Sequence, residues 1–277
     1  MSMKDLPLAA KRQRMAKCMQ WLRSAYARPP APSERPALDR LILEHLQDEL
    51  GPRAGETAFG LLQEHFVDWN EVRVSRDVEF ERALAAVGFG PAQAQSLRTI
   101  LSSLFERTNA LSLEPWRGKP LHETEAVLTP LGVSRRAANA TGLLSLGLNT
   151  LTLESGGLRV LQRLGMVDLE AGADQALDEL SAVVAATDRA DFYWLLSVHA
   201  KETCRERGPL CPRCVLLRVC PTGQARTAPK AGAAPRSGEP TRVAGARPKQ
   251  PLRLRRPEAS SVCSQSKKST VKKGRRK

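Results

Sequence analysis

Four of the six cysteines fall within a 17-residue stretch, Cys204-x6-Cys211-x2-Cys214-x5-Cys220. Thiolates this close along a chain can converge on one centre, because the loops between them are short enough to wrap it. The basic N-terminus with Lys4, Lys11, Arg12 and Arg14 is followed by no apolar stretch of the kind an export signal needs, so clustered cysteines point to metal or redox chemistry rather than to a disulfide framework. A tetrahedral zinc site would suit four thiolates, although such sites usually pair two short-spaced knuckles and only Cys211-Pro212-Arg213-Cys214 is one. A thiolate-ligated iron–sulfur cubane suits the same donors. Spacing leaves both open. Cys18 and Cys263 lie far outside the group and are not expected to be ligands.

The second chemically suggestive stretch is Leu131-Gly132-Val133-Ser134-Arg135-Arg136-Ala137-Ala138-Asn139. A tight glycine-containing turn that opens into a helix exposes backbone N–H groups at the helix N-terminus. With the helix dipole, such donors suit a phosphate without reading any base. Other reactive groups are sparse. Lys119 and Lys201 are the lysines available between residues 18 and 220, and His45, His65, His122 and His199 have no ligand-like spacing.

These groups must be positioned by helices. Apolar residues recur at helical spacing from Leu38 to Leu46 until Gly51-Pro52, then over Thr57–Phe66, Glu79–Val87, Pro91–Arg107, His122–Leu128 and Ser134–Leu146. After a turn expected at Glu154–Gly157 come Leu158–Leu164, Asp174–Ala185 and Arg189–Lys201. The class expected is all-α. Residues 1–36 read as a basic N-terminal extension, helical over 1–28 and broken by Pro29, Pro30, Pro32 and Pro36. Phe192-Tyr193-Trp194 reads as packing next to the cysteine loop.

Charge is distributed unevenly. Of a formal net charge of +14, all comes from residues 221–277, with 16 Lys+Arg against 2 Asp+Glu. That segment has seven prolines and no aromatic residue, so it cannot bury enough apolar surface to offset its chain entropy and is expected to be a disordered basic tail that attracts nucleic acid. No run approaches 18 apolar residues, which argues against a membrane-spanning helix. An intracellular protein is expected, in cytoplasm or nucleoid, or in the nucleus of a eukaryote.

The run Cys204 to Cys220 resembles the cluster loop of the endonuclease III family of helix–hairpin–helix DNA glycosylases, where this spacing holds a 4Fe–4S cluster. Residues 131–139 resemble that family's hairpin, and Leu153–Gly165 resemble the segment carrying its catalytic Asp. Arg159–Val167 is similar to the same part of plant 5-methylcytosine glycosylases and their bacterial relatives. The likeness covers roughly 37–220, with the hairpin at 128–146 and the cluster loop at 204–220. It implies two helical lobes gripping double-stranded DNA, an N-lobe of six helices and a cluster lobe assembled from both chain ends. It also implies a 4Fe–4S cluster on Cys204, Cys211, Cys214 and Cys220, and phosphate contacts from Gly132, Val133, Ser134 and Arg135. A monomer is expected.

The departures concern catalysis. The family's nucleophilic Lys corresponds to Arg136, whose guanidinium stays protonated and is no amine nucleophile. The family's Asp corresponds to Glu154, one methylene longer, with Ser155 available to cap the helix in its place. Ser134 replaces the second hairpin glycine, and Gly156-Gly157 suggest a looser backbone. Gln47 falls near the family's base-gap-filling Gln, in an unusually acidic stretch from Glu44 to Glu49. The function implied is a base-excision repair DNA glycosylase without lyase activity. The alternatives are a catalytically inactive DNA-binding relative and, in another class, a zinc-stabilised helical nucleic-acid adaptor.

Overall fold

A computed structural model describes residues 6–26 and 35–228. They form α1 (Leu8–Ala25), α2 (Ala37–Leu50), α3 (Pro52–His65), α4 (Trp69–Val74), α5 (Asp77–Leu84), α6 (Pro91–Thr108), α7 (Leu121–Leu128), α8 (Arg135–Leu144), α9 (Ser155–Leu164), α10 (Ala173–Ser181), α11 (Arg189–Glu202) and α12 (Pro221–Thr227). Among the described residues there is no strand, and no helix is long and apolar enough to cross a membrane.

Two separate apolar cores divide this body into lobes. One gathers Leu38, Leu41, Ile42, Leu62, Phe80, Leu97, Leu101 and Leu104 from α2 to α6, closed by Leu128, Leu131, Leu146 and Leu148. The other gathers Val160, Leu161 and Leu164 of α9, Leu177 and Leu180 of α10, and Phe192, Leu195 and Leu196 of α11. Met15, Cys18, Met19 and Leu22 of α1 belong to this second core. The first helix, read as part of an extension, therefore closes the C-terminal lobe from the other end of the chain. Arg14 donates to the carbonyl of Val219 at 2.9 Å and Arg12 to that of Ala182 at 2.7 Å.

Where helix limits differ from expectation, local chemistry explains it. Gly51, in the left-handed region at φ 85°, ends α2, and Pro52 starts α3 five residues before the apolar pattern, since its missing N–H would be unpaired there anyway. Helix α4 was not anticipated. Its sign is Asp68-x-x-Glu71, in which the Asp68 carboxylate accepts from the Glu71 N–H at 2.8 Å and Glu71 accepts from the Val67 N–H at 2.6 Å. Helix α12 falls inside the stretch read as disordered tail. Gly223 is buried there and its N–H caps onto Cys220 Sγ at 3.2 Å. Residues 27–34 and those after 228, with nearly all of the basic tail and Cys263, lie outside the described residues.

Helix α9 starts at Ser155, so Gly156 and Gly157 are helical and not part of a loose turn. Their purpose is close approach: a Cβ on Gly156 would lie 2.9 Å from Ala200 Cβ on α11. Gly156→Ala should push α9 from α11 and cost about 1–3 kcal/mol in chemical denaturation. Gly60→Ala on α3, where a new Cβ meets nothing within 4 Å, should instead stabilise by about 0.5–1 kcal/mol.

Candidate functional site

The hairpin consists of α7, a short 3-10 turn over Thr129–Leu131, Gly132 and α8. Gly132 takes φ 76°, the left-handed conformation that an L side chain resists. Ser134 has ordinary extended backbone and caps α8, its hydroxyl accepting from the Ala137 N–H at 3.0 Å. The same hydroxyl donates to the Asp48 carboxylate on α2. Gly132, Ser134 and Arg135 are exposed and Val133 partly so, and Arg135 pairs with Asp178 on α10 at 2.7 Å.

Arg136 is turned inward. Its Nη1 meets Glu44 Oε2 at 2.7 Å, Nη2 donates to the Glu44 carbonyl at 2.7 Å, and Nε bonds Asp48. Glu44 is only 3% exposed, and its other oxygen faces Arg40 at 3.3 Å. Burial pulls the Arg136 pKa down, but the hydrogen bonds it donates to Asp48 and Glu44, and their charges, raise it overall. The acidic stretch of α2 is thus matched by the arginine of the hairpin: Glu44 and Asp48, four apart, present both carboxylates to α8. Gln47 bonds Glu56 on α3 at 3.3 Å.

From α8 the chain runs back along the same helix. Asn139 Nδ2 donates to the Leu151 carbonyl at 2.8 Å and Thr152 Oγ1 to the Arg136 carbonyl at 3.3 Å. This delivers Glu154 to the N-terminal end of α9. Glu154 is the N-cap residue, but neither it nor Ser155 makes a side-chain cap bond. Instead Oε1 accepts from the Tyr193 hydroxyl at 2.6 Å, and Oε2 lies 3.9 Å from Lys201 Nζ. Burial, then the charges of Glu154 and Glu44, push the Tyr193 phenol far up, so it stays a donor. Glu44 and Glu154 thus both act on this one phenol. Of the three adjacent aromatics, Phe192 is core, Trp194 packs on that core and Tyr193 serves the site.

Cys204, Cys211, Cys214 and Cys220 line a single cavity with Arg163, His199 and Leu216. Among the described residues, no three His, Cys, Asp or Glu side chains form a group that could hold one metal ion. Backbone N–H groups of Leu216 and Gly223 point at Cys214 Sγ (3.4 Å) and Cys220 Sγ (3.2 Å). Arg163 Nη1 lies 3.4 Å from Cys204 Sγ and also holds the Cys204 and Arg205 carbonyls. Burial, followed by the neighbouring cysteines, pushes the Cys214 thiol up to about 11 and raises Cys220 as well. Cys18 is buried in the core, its thiol pushed up to about 11 mainly by burial.

His199 is the residue that spacing missed. It is 1% exposed, and Nε2 lies 3.7 Å from Cys214 Sγ while Nδ1 lies 2.7 Å from the Tyr26 hydroxyl. Burial lowers its pKa to about 4. Its place five residues before Cys204, one helical turn from the loop, was the available sign.

The fold has known counterparts. An endonuclease III of Synechocystis sp. (strain ATCC 27184 / PCC 6803 / Kazusa) is 26% identical over 165 residues, covering 59% of this chain and 71% of that protein. The chain is similar in sequence to this endonuclease III over most of that protein's length. The fold agrees: an endonuclease III trapped as a covalent intermediate with DNA superposes with TM-score 0.66 at 17% identity, over 78% of this chain and 98% of that one. A non-covalent endonuclease III–DNA complex gives 0.65 over 78% and 97%, and a thermostable thymine-DNA glycosylase 0.60 over 78% and 98%, both at 17% identity. No family model matches. The all-helical architecture that the resemblance implied is thus the one found, and it is shared with these structures.

Arg136→Met should leave the buried Glu44 carboxylate with Arg40 as its remaining charged partner and cost about 3 kcal/mol, read as a lower denaturation midpoint. Adding Glu44→Gln to that variant should recover part of the loss, because no buried carboxylate then remains at that position.

Proposed function

We propose that this endonuclease III relative is a DNA glycosylase that removes a base without cutting the strand. The observation that carries the reading is the Glu154 carboxylate, fixed by Tyr193 at the N-terminal end of α9, together with an arginine, Arg136, at the position that the resemblance gives to the family's lysine. A carboxylate held there can stabilise positive charge developing on the sugar of an extruded nucleotide. The tyrosine hydrogen bond fixes Oε1 and leaves Oε2 on the side of Lys201. Arg136 cannot form a Schiff base, and its three bonds to α2 keep it from the substrate. Gly132 to Arg135 would hold a backbone phosphate of double-stranded DNA at the N-terminus of α8. The cationic residues after 228 would add sequence-independent attraction.

The four cysteines would hold a 4Fe–4S cluster. Their all-thiol character, their common cavity and the N–H groups aimed at two sulfurs fit such a group. Thiols whose protons are held this firmly by burial become thiolates only against compensating cationic charge. Cys204 just after α11 and Cys220 at the start of α12 would hold the cluster, which would join those two elements by shared ligation. Cys214→Ser should lower iron and sulfide content and the melting temperature together. Full iron occupancy with an unchanged melt would overturn this assignment.

A second reading, a DNA-binding relative without catalysis, is favoured by one observation: Asp48 already occupies the Ser134 hydroxyl and Arg136. Single-turnover assays on duplexes carrying oxidised pyrimidines, uracil mismatches or methylated cytosine separate the two. In the glycosylase reading, one substrate releases its base and the strand breaks only after alkali. Borohydride traps no adduct, and Glu154→Gln slows release by about 10²–10³-fold with little change in affinity. Binding without release from any of these duplexes, by parent and variant alike, supports the second reading.

A further inference from the structure

A continuous hydrogen-bonded line runs from the first helix to the cysteine loop. Thr203 Oγ1 lies 2.8 Å from the Tyr26 hydroxyl, that hydroxyl 2.7 Å from His199 Nδ1, and His199 Nε2 3.7 Å from Cys214 Sγ. Chemistry fixes the direction of each bond. A metal-bound thiolate has no proton, so Nε2 must carry the hydrogen it shares with sulfur. A neutral ring then offers Nδ1 only as an acceptor, the tyrosine must donate to it, and the tyrosine oxygen is left to accept from Thr203. The rings of Tyr26 and His199 meet edge to face with centroids 5.8 Å apart, which holds the line in register.

We infer that Tyr26 and His199 form a positioning pair that fixes an N–H donor on the Cys214 sulfur and so sets the electronic balance of the group bound there. The inference rests on the iron–sulfur reading above. Hydrogen bonds to ligand sulfur stabilise the extra negative charge of the reduced state and raise its potential. The first helix would then reach the metal centre through the residue directly after its last turn, Tyr26.

The test uses the full chain and three variants, Tyr26→Phe, His199→Gln and His199→Leu. Iron and acid-labile sulfide are measured first, then the midpoint potential by film voltammetry and the electron paramagnetic resonance of the oxidised or reduced state. His199→Leu should make reduction about tenfold less favourable, a drop of ~59 mV for one electron. Tyr26→Phe keeps the ring and should give a smaller shift in the same direction, and His199→Gln, which retains an N–H donor, should restore part of the loss. If His199→Leu fails to fold, Tyr26→Phe alone decides. A parent protein without iron and sulfide overturns the cluster reading and this inference with it. Loaded variants with unchanged potential and resonance overturn this inference alone.

Discussion

The guanidinium of Arg136, sealed between two carboxylates of α2, is the contact on which the remaining geometry depends. A buried charge is costly unless paired on every side, and here Glu44, the Glu44 carbonyl and Asp48 supply the pairing. The bonds hold α8 to α2 in one register. That register sets the exposed face of the hairpin turn, and the chain after α8, hydrogen-bonded back onto it, sets where α9 begins. A lysine in the same place could satisfy only part of this network, because a point charge lacks the planar fork. The fork of Arg136 therefore clamps α8 onto α2 within the first lobe.

Much of the scaffold was legible because it depends on local patterns. The run from Pro91 has a proline at its first turn and leucines at helical intervals, and α6 ends within one residue of expectation. The cysteine spacing and the Gly132 turn are equally local. What was hidden depends on partners distant in sequence. Nothing near Gly156 says that Ala200 will lie against it, so a packing glycine resembles a flexible one. The acidic face of α2 resembled a solvated surface until Arg136, some ninety residues on, was placed against it. Ser155 looked like the better cap, but Tyr193 on α11 takes the Glu154 oxygen and leaves the helix end uncapped by any side chain.

The lobes also differ in what stabilises them. The first has a wide leucine and phenylalanine core with stacked or tilted rings at Phe66, Phe80 and Phe89. The second packs many smaller contacts around α9 and α11, and its outer edge, from 203 to 220, has only short 3-10 turns between its cysteines. Leu216 and Cys220 anchor this edge in the second core, while Arg163 of α9 and backbone donors to sulfur hold the loops between the cysteines.

The placement of α1 has a consequence in time. Its core partners lie on α9 to α11, and Arg14 meets a carbonyl 205 residues away. At about 5–20 residues per second, a ribosome needs on the order of 10–40 s between making the two. During that interval the first lobe can complete its own core, while Met15, Met19 and Leu22 wait with nothing to cover them. The nascent chain thus leaves the apolar face of this basic helix uncovered until its last lobe emerges, and that interval is when a chaperone would find it.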